Sequence, residues 1–400
     1  MRVTVALSII GVASGFVFPG TPLAPQAIVK RTKSLQPCMA LAGNFQHPTG
    51  KHIYTVKEGD KAEDAEEPSW AHKIVYAMLD SPMYDAIREK ARDMMVQGAE
   101  KRGLDWNGIV KKIELAMPWE EIRTQIVADS NVDVPEYYFQ PFHAYLEGNL
   151  CWQAAFEQEV ASIAVGIRSF PKLGALAEEK LRSEFKKVIA QLGAQVEEEA
   201  VIVDFGCGTG TSSRCLLDQF PQAGIIIGLD LSPHMLAVGQ HLNKEKGDLY
   251  NEKISLQYQD AGNSNLPDGC ASLVNVCFLV HEMPNDAYKG LLKEAQRLLK
   301  PGGTLTLMDM DPQAPGYVKL QKNPLLYSIV RSTEPFLDEW FEAAPQIQED
   351  LYEAGFAVVR KAAVTGRHSA VVATKAGSLD LRPAAKVRAS MDEHLQTWET

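Results

Sequence analysis

Three glycines at alternate positions, Gly206, Gly208 and Gly210, follow a β-favouring run and an acid in VIVDFGCGTG, residues 201–210. Glycine permits a tight turn and removes the Cβ that would hold a ligand away from the backbone. A loop that leaves a strand and enters a helix also points its N–H groups outward, toward whatever lies beyond the sheet edge. The chemistry suggested is backbone recognition of a nucleotide-like ligand, with an ordinary structural turn as the alternative. A dinucleotide fingerprint would need its third glycine at 211, which is Thr211, and no G-K-[ST] follows as a P-loop requires. The spacing G-x-G-x-G, after a strand ending in Asp204, instead fits a ligand that lays an amino acid and a ribose over the loop.

Two further acids stand where the next strands should end. Asp230 lies about 20 residues beyond the loop, where a carboxylate can take both hydroxyls of an adenosine ribose. Asp260, followed by Ala261, can accept from an adenine amino group while the next N–H faces a ring nitrogen. Each alone is an ordinary turn or cap residue; their succession at consecutive strand ends is what carries weight.

The elements needed to position them follow from periodicity. AVIVDF, GIIIGLD, ISLQYQDA, SLVNVCFLV and TLTLMDMD read as strands, the fourth apolar enough to be buried on both faces. Helices lie between them: SSRCLLDQF stops before Pro221, MLAVGQHL follows the cap and first turn Ser232-Pro233, and DAYKGLLKEAQRLL ends at Pro301-Gly302-Gly303. The alternation predicts a parallel α/β sheet with helices on both sides. FAVVRKAAV and HSAVVATKA read as a closing hairpin, with a helical insertion over 313–346 before it. From Trp70 to about Leu192 apolar residues recur at three- and four-residue steps, a helical region ahead of the sheet.

VDFGCGTG, GLDLSPHML, QDAGNSNLPDG, SLVNVCFLVHEMP and LKEAQRLLKPGGTLTLMDMD together resemble the successive motifs of class I S-adenosylmethionine-dependent methyltransferases, nearest to the small-molecule group that includes quinone and sterol methyltransferases. The resemblance covers about residues 197–375. It implies a Rossmann-like, seven-stranded sheet whose last strand is antiparallel, with the helical region as an N-terminal cap. It implies S-adenosylmethionine as cofactor: Gly206, Gly208 and Gly210, with Asp204 and Cys207 beside them, near the methionine part; Asp230 and Leu231 at the ribose; Met235, Asp260 and Ala261 at the adenine. In the cap, PEYYFQPFHAYLEGNLCW (135–152) is dense in aromatic residues. It is either a buried aromatic cluster or the place where Tyr145 meets the cofactor carboxylate and His143 and Trp152 line the substrate pocket. The FHAYLEGNL wording is similar to a set of plastid methyltransferases of plants and algae, which supplies no substrate.

Methyl transfer from a sulfonium is an in-line displacement, so the protein must align the acceptor and, where it carries a proton, remove that proton. His281 and Glu282 follow the fourth strand, beside the expected methyl position, and an unperturbed imidazole (pKa ~6.5) suits a base. The alternative is that His281 caps the strand and Glu282 faces water. Asp309 and Asp311 end the fifth strand as weaker substrate-binding candidates. Leu325, Leu326, Tyr327, Ile329, Val330, Phe336, Trp340 and Phe341 of the insertion are consistent with a lid over an apolar acceptor such as a prenylated ring or lipid, or with ordinary packing on the sheet. N-P-P-Y, found in enzymes that methylate nucleic-acid amines, is absent.

The 400 residues are 46% hydrophobic and 23% charged, enough for a sizeable core, and the net charge of −11 argues against a nucleic-acid surface. Arg2, Lys30, Arg31, Lys33, Lys51 and Lys57 all precede the first acid, Glu58. Within that stretch VTVALSIIGVASGFVF reads as a signal segment, too short for a span of ~20 apolar residues. The basic, acid-free part after it suits a transit peptide. This two-part leader resembles those of algae whose plastids lie behind several membranes; secretion or a disordered tail is the alternative. The expected organisation is a leader at 1–56, an acidic linker at 57–69, the cap at 70–196, the methyltransferase domain at 197–375 and a tail at 376–400. The six cysteines show no C-x-x-C pair and no zinc spacing, so neither a metal nor a disulfide scaffold is expected. No spanning segment is expected in the mature chain; peripheral membrane contact and oligomeric state stay open. A nicotinamide-dependent oxidoreductase and a non-catalytic cofactor-binding protein remain the competing functions.

Overall fold

The computed structural model describes residues 84–128 and 130–377; the leader, the linker, the start of the cap and nearly all of the tail lie outside the described residues. The cap contains α1 (Tyr84–Glu100), α2 (Trp106–Glu114), α3 (Trp119–Ala128), α4 (Trp152–Ser169) and α5 (Ala177–Gln191). Asp105 starts α2 by accepting from the Gly108 N–H. In α4 the small and apolar residues Ala154, Ala155, Val160, Ala164 and Ile167 fall on buried positions. In α5, Leu181, Phe185 and Ile189 recur every fourth residue and pack on Ile202, Ile226 and Leu273 of the sheet.

Strand and helix then alternate: β1 (Val201–Phe205), α6 (Thr211–Gln219), β2 (Ile225–Asp230), α7 (Pro233–Lys246), α8 (Asp248–Lys253), β3 (Ile254–Tyr258), β4 (Ala271–Cys277), α9 (Asn285–Leu298) and β5 (Leu299–Met310). The insertion supplies α10 (Pro315–Gln321), α11 (Pro324–Thr333), α12 (Leu337–Ala343) and α13 (Ile347–Glu353), and β6 (Phe356–Ala363) and β7 (His368–Lys375) close the fold.

The seven strands lie in the order β3-β2-β1-β4-β5-β7-β6. β7 runs antiparallel to both neighbours, from Thr304↔Thr374 to Met310↔His368 against β5, while β1 to β5 pair in parallel. This is the α/β architecture expected from the sequence, antiparallel last strand included. The order reverses between β1 and β4, and the crevice outside the carboxyl ends of such strands is where open α/β sheets bind ligands. One face is closed by Leu291, Leu292, Ala295 and Leu298 of α9, joined by Leu337 and Trp340 of α12. Each such side chain, once fully buried, contributes roughly 1.5–3 kcal/mol relative to exposure.

A polar line crosses this apolar sheet. Thr306 on β5 donates to the Asn275 side chain on β4, which donates to Asp204 on β1; Asp204 also accepts from the hydroxyls of Ser212 and Ser213 at the start of α6. A buried carboxylate is costly unless its hydrogen bonds are made. Here three donors meet it, tying the helix that follows the glycine loop to the centre of the sheet.

Candidate active site

Gly206, Gly208 and Gly210 all take left-handed backbone angles, φ of 61°, 52° and 82°, which most residues adopt only under strain. At Gly206 a Cβ would come within 2.6 Å of the Leu279 side chain, and at Gly208 it would collide with the Gln158 amide. Gly210 is the residue before α6, and its angle turns the chain into that helix. Across the loop, Asp230 accepts from the Gly208 N–H and the Ser232 N–H, each at 2.8 Å. Burial pushes its carboxyl up to about 6, against the pull of these two N–H groups. Each carboxylate oxygen keeps a further lone pair, so a vicinal diol can still donate to it. The Ser232 hydroxyl caps α7 at the Met235 N–H and donates to the Asn149 carbonyl, linking cap and sheet.

These groups border a cavity of about 560 Å³ over the carboxyl ends of the strands. Gly206, Cys207, Gly208, Asp230, Leu231 and Met235 line it on one side, with Asp260 and Ala261 at the tip of β3. Asp260 holds its own turn through the Gly262 N–H, and burial raises its carboxyl.

α4 lies across the glycine loop. The Thr209 N–H donates to Gln158, and the hydroxyls of Thr209 and Thr211 donate to Glu159, each at 2.6 Å. Arg214 completes this set by pairing with Glu159. Burial opposes ionisation of Glu159, but Arg214 and the two hydroxyls outweigh it and hold its carboxyl below the usual range. Gln158 itself lines the cavity above Gly208.

On the other side of the switch point, His281 Nδ1 lies 2.7 Å from Asp309. Asp309 also accepts from the N–H groups of Val280 and Met310, which fixes it beneath the ring. Burial pulls the imidazole down, but Asp309 outweighs it and the net effect pushes His281 up to about 9. The Asp309 carboxylate thus favours the protonated ring, whereas the sequence suggests an imidazole of ordinary basicity. Next to it, Glu282 accepts from Asn149 at 3.0 Å and lies 3.5 Å from His143 Nε2. Burial raises the Glu282 carboxyl, partly offset by the two histidines. His143 also faces Glu334 at 3.3 Å; burial lowers its pKa, but Glu334 and Glu282 reverse this and push it up to about 9.

His143 and Ala144 have φ of 49° and 72°, and Phe142 and Tyr145 exchange both backbone hydrogen bonds around them. Two successive non-glycine residues in this region cost on the order of 1–3 kcal/mol each. The strained turn is held by the His143 N–H, which donates to the Thr333 carbonyl of α11, and it delivers the imidazole to the cavity. Donor atoms of His143, His281 and Glu282 lie within 4.8 Å of one another, close enough to share an ion. Each histidine is already partnered, His143 by Glu282 and Glu334 and His281 by Asp309.

Several sequence expectations are corrected by these positions. Asp204 is wholly buried and spends its oxygens on Ser212, Ser213 and Asn275, so it organises the loop from below and does not reach the cavity. Gly210 is likewise outside the lining, its role being the helix entry. Trp152 stacks on Phe156, packs near Trp119 and donates to Glu120, away from the cavity. Asp309 is buried beneath His281, bonded to its ring, and is not among the residues lining the cavity. Tyr145 does line the cavity, but its hydroxyl donates to Glu157, which Arg92 also engages. Of the insertion, Ile329 and Val330 face the cavity whereas Trp340 is buried against the sheet and donates to the Met310 carbonyl. Gln158, Asn149 and Glu334 were not singled out in the sequence; each is brought to the site by a non-local contact.

The described residues contain no single helix long and apolar enough to cross a membrane. Residues 202–303 match a family model described as a methyltransferase domain. Demethylmenaquinone methyltransferase of Listeria monocytogenes is 27% identical over 215 residues, covering 50% of this chain and 88% of that protein. Among solved structures, phosphoethanolamine N-methyltransferase 2 of Haemonchus contortus with S-adenosyl-L-methionine is similar at 14% identity and a TM-score of 0.41, over 61% of this chain and 60% of that one. In another structure of that enzyme the match covers 52% of its chain, with a TM-score of 0.36.

Proposed function

Since the chain carries a class I S-adenosylmethionine-dependent methyltransferase domain, we propose that its acceptor is a largely apolar small molecule with an ionisable hydroxyl, of the quinol or phenol kind. The observation that carries this reading is the pairing, in one cavity, of the buried Asp230 carboxylate, which has lone pairs free for a diol, with a buried His-Glu cluster across the switch point. The name of the Listeria relative supports a quinol-like ring as the acceptor.

The residues fit the cofactor. Asp230 offers two carboxylate oxygens to the ribose, Asp260 and the Ala261 backbone stand where the adenine edge would lie, and Gly206 and Gly208 leave the loop bare for the amino-acid portion. When bound, S-adenosylmethionine supplies an electrophilic methyl group on a positive sulfur.

The chain's own residues do the rest. His281, charged and held by Asp309, donates a hydrogen bond that stabilises negative charge developing on the acceptor oxygen. Glu282, whose carboxyl is raised by burial, takes the acceptor proton. Asn149 and His143 hold Glu282 in place. The acceptor forms its bond to the methyl carbon as the carbon–sulfur bond breaks, and the electron pair of that bond remains on sulfur. Ile329, Val330 and Phe278 give the cavity its apolar wall. Incubating leaderless protein with methyl-labelled cofactor and a panel of quinols tests the assignment. Label in a ring-containing product supports it; transfer only to polar amines removes it.

The plastid is the proposed location, supported by the basic, acid-free leader over residues 1–56. A fluorescent fusion of that segment in an algal cell tests this: plastid fluorescence is expected, and secretion of the fusion contradicts it.

A further inference from the structure

Three arginines line the cavity on the β4, β5 and β7 side of the sheet, across β1 from Asp230. Arg168 comes from the end of α4, Arg182 from α5 and Arg367 from the turn before β7, and all three line the space above the tips of β4, β5 and β7. In the strand order this half of the sheet lies across β1 from Asp230 and Asp260.

Arg182 is partnered: it pairs with Glu178 at 2.7 Å and its guanidinium lies 5.5 Å from the Phe278 ring centre. The other two form no close ion pair among the described residues, though Arg168 acts on Glu334 electrostatically. Arg168 reaches only the Gly98-bearing helix, at the Met95 sulfur, 3.8 Å away. Arg367 lies over the Tyr317 ring, 5.9 Å from its centre. Arg168 is exposed and Arg367 half-buried, and neither guanidinium is tied down by a close ion pair, although Arg168 acts on the Glu334 carboxyl in the same cavity; both remain open to an anionic ligand. Burial is the main cause that lowers the proton affinity of His368 and of Arg367; Arg367, His281 and Arg168 add to it at His368, and Arg168 adds to it at Arg367. Val165, Met310 and Ile329 give the lining an apolar part, beside the polar Glu334 and His368.

Building on the methyl-transfer reading, we propose that the acceptor carries an anionic group, a carboxylate or a phosphate, at the end remote from the methylated atom, and that Arg168 and Arg367 bind it. Guanidinium groups match both anions by paired N–H donors, and such hydrogen bonds are about twice as strong as neutral ones. The chemistry selects an acid with an apolar body rather than a neutral lipid.

Calorimetric titration of the full-length protein saturated with S-adenosylhomocysteine tests this with three probes of equal chain length: octanoate, octyl phosphate and 1-octanol. The expected result is that one or both anions bind about tenfold or more tighter than the alcohol, and that the preferred anion identifies the head group. Arg168→Gln with Arg367→Gln should reduce the anions to the level of the alcohol while leaving homocysteine-adduct binding and the folded circular-dichroism spectrum unchanged. Equal binding of alcohol and anions by the native protein overturns the proposal, as does an undiminished anion preference in the double variant. Failure to bind S-adenosylhomocysteine at all would be a different result, striking the methyl-transfer reading itself.

Discussion

Acidification should weaken cofactor binding through one residue. The Asp230 carboxyl is pushed up to about 6 by burial, so it is ionised near pH 7.5 and only about one-tenth ionised near pH 5. Both ribose hydroxyls need lone pairs on that carboxylate, and its oxygens already serve Gly208 and Ser232. A proton on either oxygen removes an acceptor where none is spare. Affinity should therefore follow the ionised fraction and fall about tenfold, ~1.4 kcal/mol, over this interval. The effect on folding has the opposite sign. A carboxyl raised above its unfolded value of 3.8 adds stability that is fully present below that value and is lost as pH rises through about 6. Weaker binding near pH 5 thus does not reflect unfolding caused by this group. Calorimetric titration with S-adenosylhomocysteine across this range is the assay, repeated on Asp230→Asn. The variant should bind about tenfold or more weakly near neutrality and show a flat profile. Should the native slope persist in the variant, another group is titrating; should the native protein bind independently of pH, Asp230 does not hold the ribose.

Three further outcomes are expected. Asp204→Ala strands two hydroxyls and an amide inside the protein, so it should cost about 3 kcal/mol or more of stability in denaturant titration, without touching the cofactor directly; an unchanged unfolding midpoint would contradict its structural role. His281→Ala should slow methyl transfer about 100-fold or more while S-adenosylhomocysteine affinity stays within twofold, by removing the donor to the developing oxyanion; single-turnover kinetics at the native rate would remove it from the mechanism. Gly208→Ala must hold an unfavourable φ of 52° and displace Gln158, so cofactor binding should fall more than tenfold; native affinity in titration would mean that the loop has slack.

The fold was legible because each strand and helix announced itself locally: Ser232-Pro233 starts α7, the left-handed Gly210 turns into α6, and the apolar run of β4 has no polar face to expose. The cofactor side was largely legible for the same reason, since Asp230 and Asp260 stand at or just after strand ends. Asp204 was misplaced because it lies one residue before the end of β1, and successive strand residues point to opposite faces. A one-residue uncertainty in where the strand stops decides whether such an acid meets ligand or protein. The state of His281 was not legible at all. It depends on Asp309, which is distant in sequence and reaches the ring only because β4 and β5 pair. Gln158 in α4 and Glu334 just after α11 lie in stretches of unremarkable sequence, and only their approach to the glycine loop and to His143 brings them to the site. Trp152 could have been placed correctly, because Phe156 lies one helical turn further along α4 and offers it a stacking partner.

The central claim is that the bare glycine loop and the two strand-end acids hold an adenosyl sulfonium against the His-Glu cluster. Its most direct test is a structure of the protein soaked with S-adenosylhomocysteine. The account predicts the ribose hydroxyls on Asp230, the adenine beside Asp260 and Ala261, and the sulfur directed toward His281 and Glu282. Density for the ligand anywhere else, or with its sulfur turned away from His281, would contradict it.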